Sequence, residues 1–157
     1  MKLNLGCGKR HLAGYTNVDL APTADLVADV RAVPLPDECA EEVLAVHVIE
    51  HFYKWEVQPL LAEWRRLLVP GGLLVIECPD IVKAAQNLID GMGSQMTMWP
   101  LYGDPGHQDP LMCHRWGYSP GTLIYEVQWA GFRKVKTLEP QWHGKRINRD
   151  MRLEAIK

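Results

Sequence analysis

An apolar strand, Lys2-Leu3-Asn4-Leu5, runs straight into Gly6-Cys7-Gly8, and eleven residues after Gly8 a second short strand ends in Asp19. This junction constrains the chain more than any other stretch. Glycines let a ligand come close to the backbone, and the amides of a tight turn can donate to it. A carboxylate closing the next strand can accept both hydroxyls of a ribose. The combination predicts a nucleoside-containing ligand at the ends of the first two strands.

The rest of the chain alternates in the same way. Strands are expected at Lys2–Leu5, Thr16–Asp19, Leu26–Ala28, Val43–Val48, Gly72–Cys78, Lys134–Glu139 and Arg152–Lys157, and helices at Lys54–Leu68, Ile81–Met92 and Pro120–Ala130. In the first of these helices Val57, Leu60, Leu61, Trp64, Leu67 and Leu68 recur at intervals of three and four, giving one apolar stripe. Pro70-Gly71-Gly72 stops it. Ser119 and Pro120 have the chemistry of an N-cap and first helical position, and Gly131 that of a C-terminal stop. Short apolar strands between amphipathic helices imply an α/β fold with a mostly parallel sheet and helices on both faces. Only the segment from Gly8 to Asp19 is too short for a full helix, so a turn or two of helix is expected there. From Gly91 to Gly117 the periodicity disappears, and a long loop rich in Met, Trp, Tyr and His is expected, a candidate substrate region. With 157 residues and no linker or repeat, one domain is expected.

In an open parallel sheet, ligands bind beyond the C-terminal ends of the strands. Gly6-Cys7-Gly8, Asp19, Asp29 and His47, with Glu50-His51 beyond it, all stand at such ends. In this order the residues resemble the class I S-adenosylmethionine-dependent methyltransferases, in a short form. Leu3-Asn4-Leu5-Gly6-Cys7-Gly8 is similar to the family's glycine-rich first motif, Asn17-Val18-Asp19 to the acidic end of its second strand, and Asp29-Val30 to its third motif. Val48-Ile49-Glu50-His51-Phe52 and Leu67-Leu68-Val69-Pro70-Gly71-Gly72-Leu73-Leu74 are similar to segments that follow the fourth strand and precede the fifth. The resemblance covers about residues 3–80. It implies a doubly wound, mostly parallel seven-stranded Rossmann-like sheet with an antiparallel last strand. It implies S-adenosylmethionine as cofactor, held by Leu5, Gly6, Cys7, Gly8, Asp19, Leu20, Asp29, Val30 and His47. Gly6 and Gly8 would face the methionine part, Asp19 the ribose, Asp29 and Val30 the adenine, and His47 the methyl. Asn4 stands where the family more often has an acid.

Catalytic candidates are His47, His51, His107 and His114. Of these His107 or His114 could be a general base, because histidine titrates near neutrality, while His51 is either a substrate contact or a structural histidine. Tyr102 and Tyr118 could position a hydroxyl. A small molecule or a glycan is the expected acceptor, by resemblance alone. The shortened front leaves the site open, and a second copy of the chain, as a homodimer, could cover it.

Other classes fare worse. A net charge of −2 gives no basic field for nucleic acid. The basic C-terminal third (Arg133, Lys134, Lys136, Lys145, Arg146, Arg149, Arg152) reads first as a solvated face and second as a groove for an anion. His47-Val48-Ile49-Glu50-His51 matches the H-x-x-E-H zinc-protease pattern, but that pattern needs a helix and here a strand runs into His47. A nicotinamide-binding fold needs a third glycine where His11 stands. A non-catalytic binding module of the same fold remains an alternative. Four widely spaced cysteines without a C-x-x-C pair argue for a reducing compartment, and no metal is expected. No apolar run is long enough to span a bilayer, so a cytoplasmic protein is expected.

Overall fold

In a computed structural model that describes residues 1–142 and 148–157, seven strands form one sheet. They are β1 (Lys2–Leu5), β2 (Thr16–Asp19), β3 (Leu26–Val27), β4 (Ala40–Val46), β5 (Leu68–Pro79), β6 (Arg133–Leu138) and β7 (Asp150–Ile156), in the spatial order β3-β2-β1-β4-β5-β7-β6. The pairs from β3 to β5 are parallel. β7 runs antiparallel between β5 and β6, so the expected seven-stranded sheet with its reversed last strand is present. Strand order reverses between β1 and β4, and the crevice above that point is where a parallel sheet takes a ligand.

Four α-helices follow β4: α1 (Val57–Leu67), α2 (Ile81–Ile89), α3 (Ser94–Tyr102) and α4 (Pro120–Trp129). The stripe on α1 is buried as its spacing requires, through Val57, Leu60, Leu61, Trp64 and Leu67. Each such side chain contributes roughly 2 kcal/mol of burial. Trp64 also donates its indole N–H to the Val30 carbonyl at 3.1 Å, which ties the helix to the loop beyond β3. Leu3, Leu5, Val18, Val43, Ala45, Leu74, Ile76, Leu153 and Ala155 present one face of the sheet to the same core cluster. The α4 cap forms as expected, with the Ser119 hydroxyl accepting from the Thr122 amide at 3.2 Å.

Two expectations fail. The residues from Gly8 to Tyr15 hold no helical turn at all, only tight turns closed by Arg10 N–H to Cys7 and Tyr15 N–H to Leu12. Side chains replace the helix. Asn4 donates to the Arg10 carbonyl at 3.0 Å and to Asn17 at 2.9 Å, while Asn17 accepts from the Leu12 amide and donates to Asp25. An acid at position 4 could donate neither bond, which explains the asparagine. The second failure is the long loop. Residues 91–117 contain α3 and two short 3-10 turns, Pro105–His107 and Pro110–Met112. Pro100 lies inside α3, and the helix has no polar face, so periodicity could not reveal it.

The sheet face opposite the core is polar near its middle. Glu77 accepts from Arg152 at 2.9 Å, Arg152 also pairs with Glu154, and Tyr15 bonds Glu42. Two members of the basic C-terminal third are thus ion-paired and nearly enclosed, Arg149 and Arg152, instead of forming a solvated face. Lys145 and Arg146 lie outside the described residues.

Candidate functional site

Two cavities open above the β1/β4 switch and meet at Gly6, His47, His51 and Met112. The first, of about 290 Å³, is walled by Asn4, Cys7, Arg10, Trp99, His107 and His114, among others. The second, of about 220 Å³, is walled by Asp19, Leu20, Asp29, Val30, Val48 and Phe52, among others. Every expected cofactor residue and every candidate histidine reaches one of these walls except Leu5 and Gly8. Leu5 is fully buried in the core, so only its backbone is near. Gly8 sits at the edge, where an added Cβ would meet nothing within 4 Å.

The first strand ends in a left-handed residue, Gly6 at φ +67. Its amide donates to the Val18 carbonyl at 2.8 Å. A Cβ on Gly6 would stand 2.5 Å from Val48 Cγ2, so this glycine packs against the protein as well as against a ligand. Gly8 donates its amide to Asp19 at 2.7 Å, and the other Asp19 oxygen accepts from the Ala21 amide at 2.9 Å. The carboxylate that closes β2 is therefore fixed in place, with lone pairs left over on each oxygen. Asp29 is engaged more fully. Arg31 grips it with Nε and Nη2, at 3.0 and 2.6 Å, and the hydrogen bonds from Arg31 hold its carboxyl below the usual range. Cys7 is 6% exposed, and burial, aided by Asp19 and Asp25, pushes its thiol up to about 11.

His47 follows directly on β4 in a left-handed conformation, φ +55, uncommon for a residue with a side chain. Its ring bridges Glu50 at 2.8 Å and Asp150 at 3.1 Å. Burial alone would lower its pKa, but the bonds to Asp150 and Glu50 raise it to about 9. A histidine that keeps its proton at neutrality cannot serve as a general base there, so any part His47 plays is that of a cation or a proton donor. Asp150 is held down at about 2, because His47 and Arg149 outweigh its burial.

His51 and His114 meet edge to face with ring centroids 4.9 Å apart. Burial lowers the His114 pKa, so this imidazole is neutral. The Glu50–His51 turn is tied to the later segment by the Arg115 amide, which donates to the Glu50 carbonyl at 2.8 Å, and by the Arg115 guanidinium, which donates to the His51 carbonyl at 2.9 Å. His107 lies in the first cavity. Tyr118 is 1% exposed and burial drives its hydroxyl well up, so it is a core residue instead of a substrate contact. Tyr102 is exposed and absent from both walls.

Asp150 and Arg115 escaped the sequence reading, and neither belongs to a motif. Arg149 was visible only as one of a basic group and Trp99 only as part of the aromatic-rich stretch 91–117, and both line the first cavity. The H-x-x-E-H stretch is not a helix with two histidines a turn apart. It is a strand end followed by a 3-10 turn, Ile49–His51, and His47 points to Asp150.

Residues 3–76 match a family model described as a methyltransferase domain. The first half of the chain belongs to the methyltransferase domain family. No curated protein matches. Among solved structures, a SAM-dependent methyltransferase from Archaeoglobus fulgidus is 19% identical with a TM-score of 0.66, over 99% of this chain and 85% of that one. A Burkholderia thailandensis 1,6-didemethyltoxoflavin-N1-methyltransferase, with that compound and S-adenosylhomocysteine bound, is 15% identical at TM-score 0.68, over 99% and 70%. Human N-acetylserotonin methyltransferase in complex with SAM is 18% identical at 0.56, over 83% of this chain and 32% of that one. At such identities the likeness shows the methyltransferase fold.

Proposed function

We propose that this methyltransferase-fold chain transfers a methyl group from S-adenosylmethionine to a small-molecule or glycan acceptor. The observation that carries the reading is the meeting of two cavities at Gly6, His47 and His51, above the strand-order switch. S-adenosylmethionine, when bound, supplies a methyl on a sulfonium that leaves with a neutral thioether behind. The chain's work is then placement. Asp19, prefixed by its bonds to Gly8 and Ala21, accepts the ribose hydroxyls. Val30, Val48 and Phe52 give the second cavity apolar walls for a base, with Asp29 at its rim. Arg10 in the first cavity offers a cation to the carboxylate of the methionine part. The acceptor enters beside Trp99, His107 and His114.

The residues fit this cofactor. The turn leaves open space at Gly8, and Asp19 keeps spare lone pairs. Isothermal titration with S-adenosylmethionine and S-adenosylhomocysteine tests the reading; micromolar heat from both is expected, and silence from both ends it. One observation favours the second reading, a binding module without turnover. Asp29 is already saturated by Arg31, so an adenine must compete for it. Titration heat without methyl transfer to a panel of hydroxyl and amine acceptors would select that reading.

Among the described residues, no helix is long and apolar enough to cross a membrane. A cytoplasmic setting accords with four free cysteines, two of them buried. A second copy covering the open front would act by walling the second cavity, where Leu20 is 59% exposed.

A further inference from the structure

Glu50, His51 and His114 form a cluster whose potential ligand atoms all lie within 4.8 Å of one another. Glu50 comes from the turn after β4, His51 follows it, and His114 arrives from the segment after α3. Glu50 is 1% exposed, and its Oε2 is buried with no hydrogen-bond partner among the described residues. An unpaired carboxylate oxygen in such a place is costly unless a cation or donor meets it. Its other oxygen is spent on His47 at 2.8 Å.

The two imidazoles are turned toward the same point. Each has its Nδ1 against a main-chain carbonyl: His51 donates to Cys113 at 3.3 Å and His114 donates to Pro100 at 2.9 Å. A carbonyl can only accept, so each Nδ1 carries a proton, and the neutral form of either ring has its lone pair on Nε2. His114 Nε2 stands 4.0 Å from Glu50 Oε1. Carbonyl acceptors behind the ring are how proteins fix the tautomer and direction of a metal-bound histidine. The amide of Arg115 and its guanidinium, both bonded to the Glu50–His51 turn, hold the two halves of the cluster together.

The geometry points to a divalent first-row transition-metal site formed by Glu50, His51 and His114, open on the side of the first cavity. Two imidazoles and one carboxylate suit zinc, iron, cobalt or manganese better than calcium or magnesium, which prefer all-oxygen shells. The H-x-x-E-H match thus supplies two ligands but not the pair a protease needs, since His47 is turned to Asp150. The metal reading stands on the cluster alone. Its use in catalysis rests on the proposed methyl transfer. A cation there would receive an acceptor hydroxyl entering beside His114 and favour loss of its proton to water. The oxygen lone pair would then form the bond to the methyl carbon as the carbon–sulfur bond breaks and its electron pair stays on sulfur. The acceptor class is therefore a hydroxyl compound whose oxygen can reach that cation.

The test is titration of chelator-treated full-length protein with Co(II), read by visible absorption, and with Zn(II), read by calorimetry. One equivalent is expected. His114→Ala and His51→Ala should weaken binding by roughly tenfold or more, and His107→Ala, a cavity residue outside the cluster, should not. Circular dichroism confirms that each variant is folded; because Glu50 is buried, the histidine variants decide the matter. Less than a tenth of an equivalent, or equal affinity in wild type and a folded His114→Ala, overturns the site. S-adenosylhomocysteine titration on the same samples separates the two readings: heat from it without metal uptake removes the metal site and leaves the methyltransferase reading intact.

Discussion

His47 and Asp150 are hydrogen-bonded at 3.1 Å across 103 residues of sequence, joining the end of β4 to the start of β7. The contact closes a row of alternating charges: Glu50, His47, Asp150 and Arg149. All but His47 are nearly inaccessible, so each charge depends on its neighbours for the solvation it has lost. This row forms the floor between the glycine turn and the histidine cluster.

The Asp150 carboxyl has its pKa depressed from 3.8 to about 2. A depressed acid stabilises the fold fully above its unfolded value, and that contribution is lost as pH falls through the folded one. The expected loss is about 2 kcal/mol between pH 4 and 2. Asp150→Asn should cost about 3 kcal/mol at pH 7, because it leaves His47 and Arg149 with fewer compensating charges. Urea unfolding at a series of pH values checks both. The variant should lose less stability than wild type over the acid window; parallel curves would refute the assignment.

Asp19 has both a structural and a proposed binding role, and the two separate by size. Asp19→Ala removes acceptors for the Gly8 and Ala21 amides, at a cost of about 1–2 kcal/mol. It also removes the acceptor of the ribose hydroxyls, which should weaken S-adenosylhomocysteine by roughly 10–100-fold. Thermal melts and calorimetry on one preparation give the two numbers. Unchanged affinity in a folded variant would count decisively against the ribose role.

Most of the sheet was legible because its strands are short apolar runs bounded by glycine or acids, as at Leu5-Gly6 and Val18-Asp19. However, β5 starts at Leu68 and runs through Pro70-Gly71-Gly72, which the sequence placed before it. The helix α1 was legible because its stripe repeats at helical spacing. Helix α3 was hidden for the opposite reason: Met96, Met98, Trp99, Leu101 and Tyr102 surround it with apolar groups, and Pro100 reads as a breaker. The strand-end residues of the site could be read from spacing. Asp150 could not, because its partner His47 lies on a strand distant in sequence but two places away in the sheet. Nor could the contact between His114 and Glu50, which depends on the path of residues 103–117. Sequence order carries no trace of such pairings until the crossover is known.

The cysteines should divide sharply toward a thiol reagent. Cys113 is exposed and Cys39 partly so, whereas Cys78 is fully buried and Cys7 nearly so. With its thiol pushed up to about 11, Cys7 would be only about one part in a thousand thiolate at pH 8. Ellman's reagent should titrate Cys113 first and Cys39 more slowly, with Cys7 and Cys78 reacting only in denaturant. Rapid reaction of four thiols in the native protein would show that the turn at Cys7 opens readily.

Gly6 and Gly8 share left-handed backbones, at φ +67 and +53, but differ in what surrounds them. An alanine at either position carries the left-handed penalty of about 1–2 kcal/mol. At Gly8 nothing stands within 4 Å of the new methyl, so Gly8→Ala should cost little more than that. At Gly6 the methyl would press to 2.5 Å on Val48 Cγ2, adding about 1–3 kcal/mol of overpacking. Val48→Ala leaves a cavity alone but room for the methyl in the double variant. The Gly6→Ala/Val48→Ala pair should therefore be more stable than the sum of its parts by about 1–2 kcal/mol. Chemical denaturation of the four proteins measures that coupling. Additive costs would mean that Gly6 is required by backbone conformation alone, with no contribution from the Val48 contact.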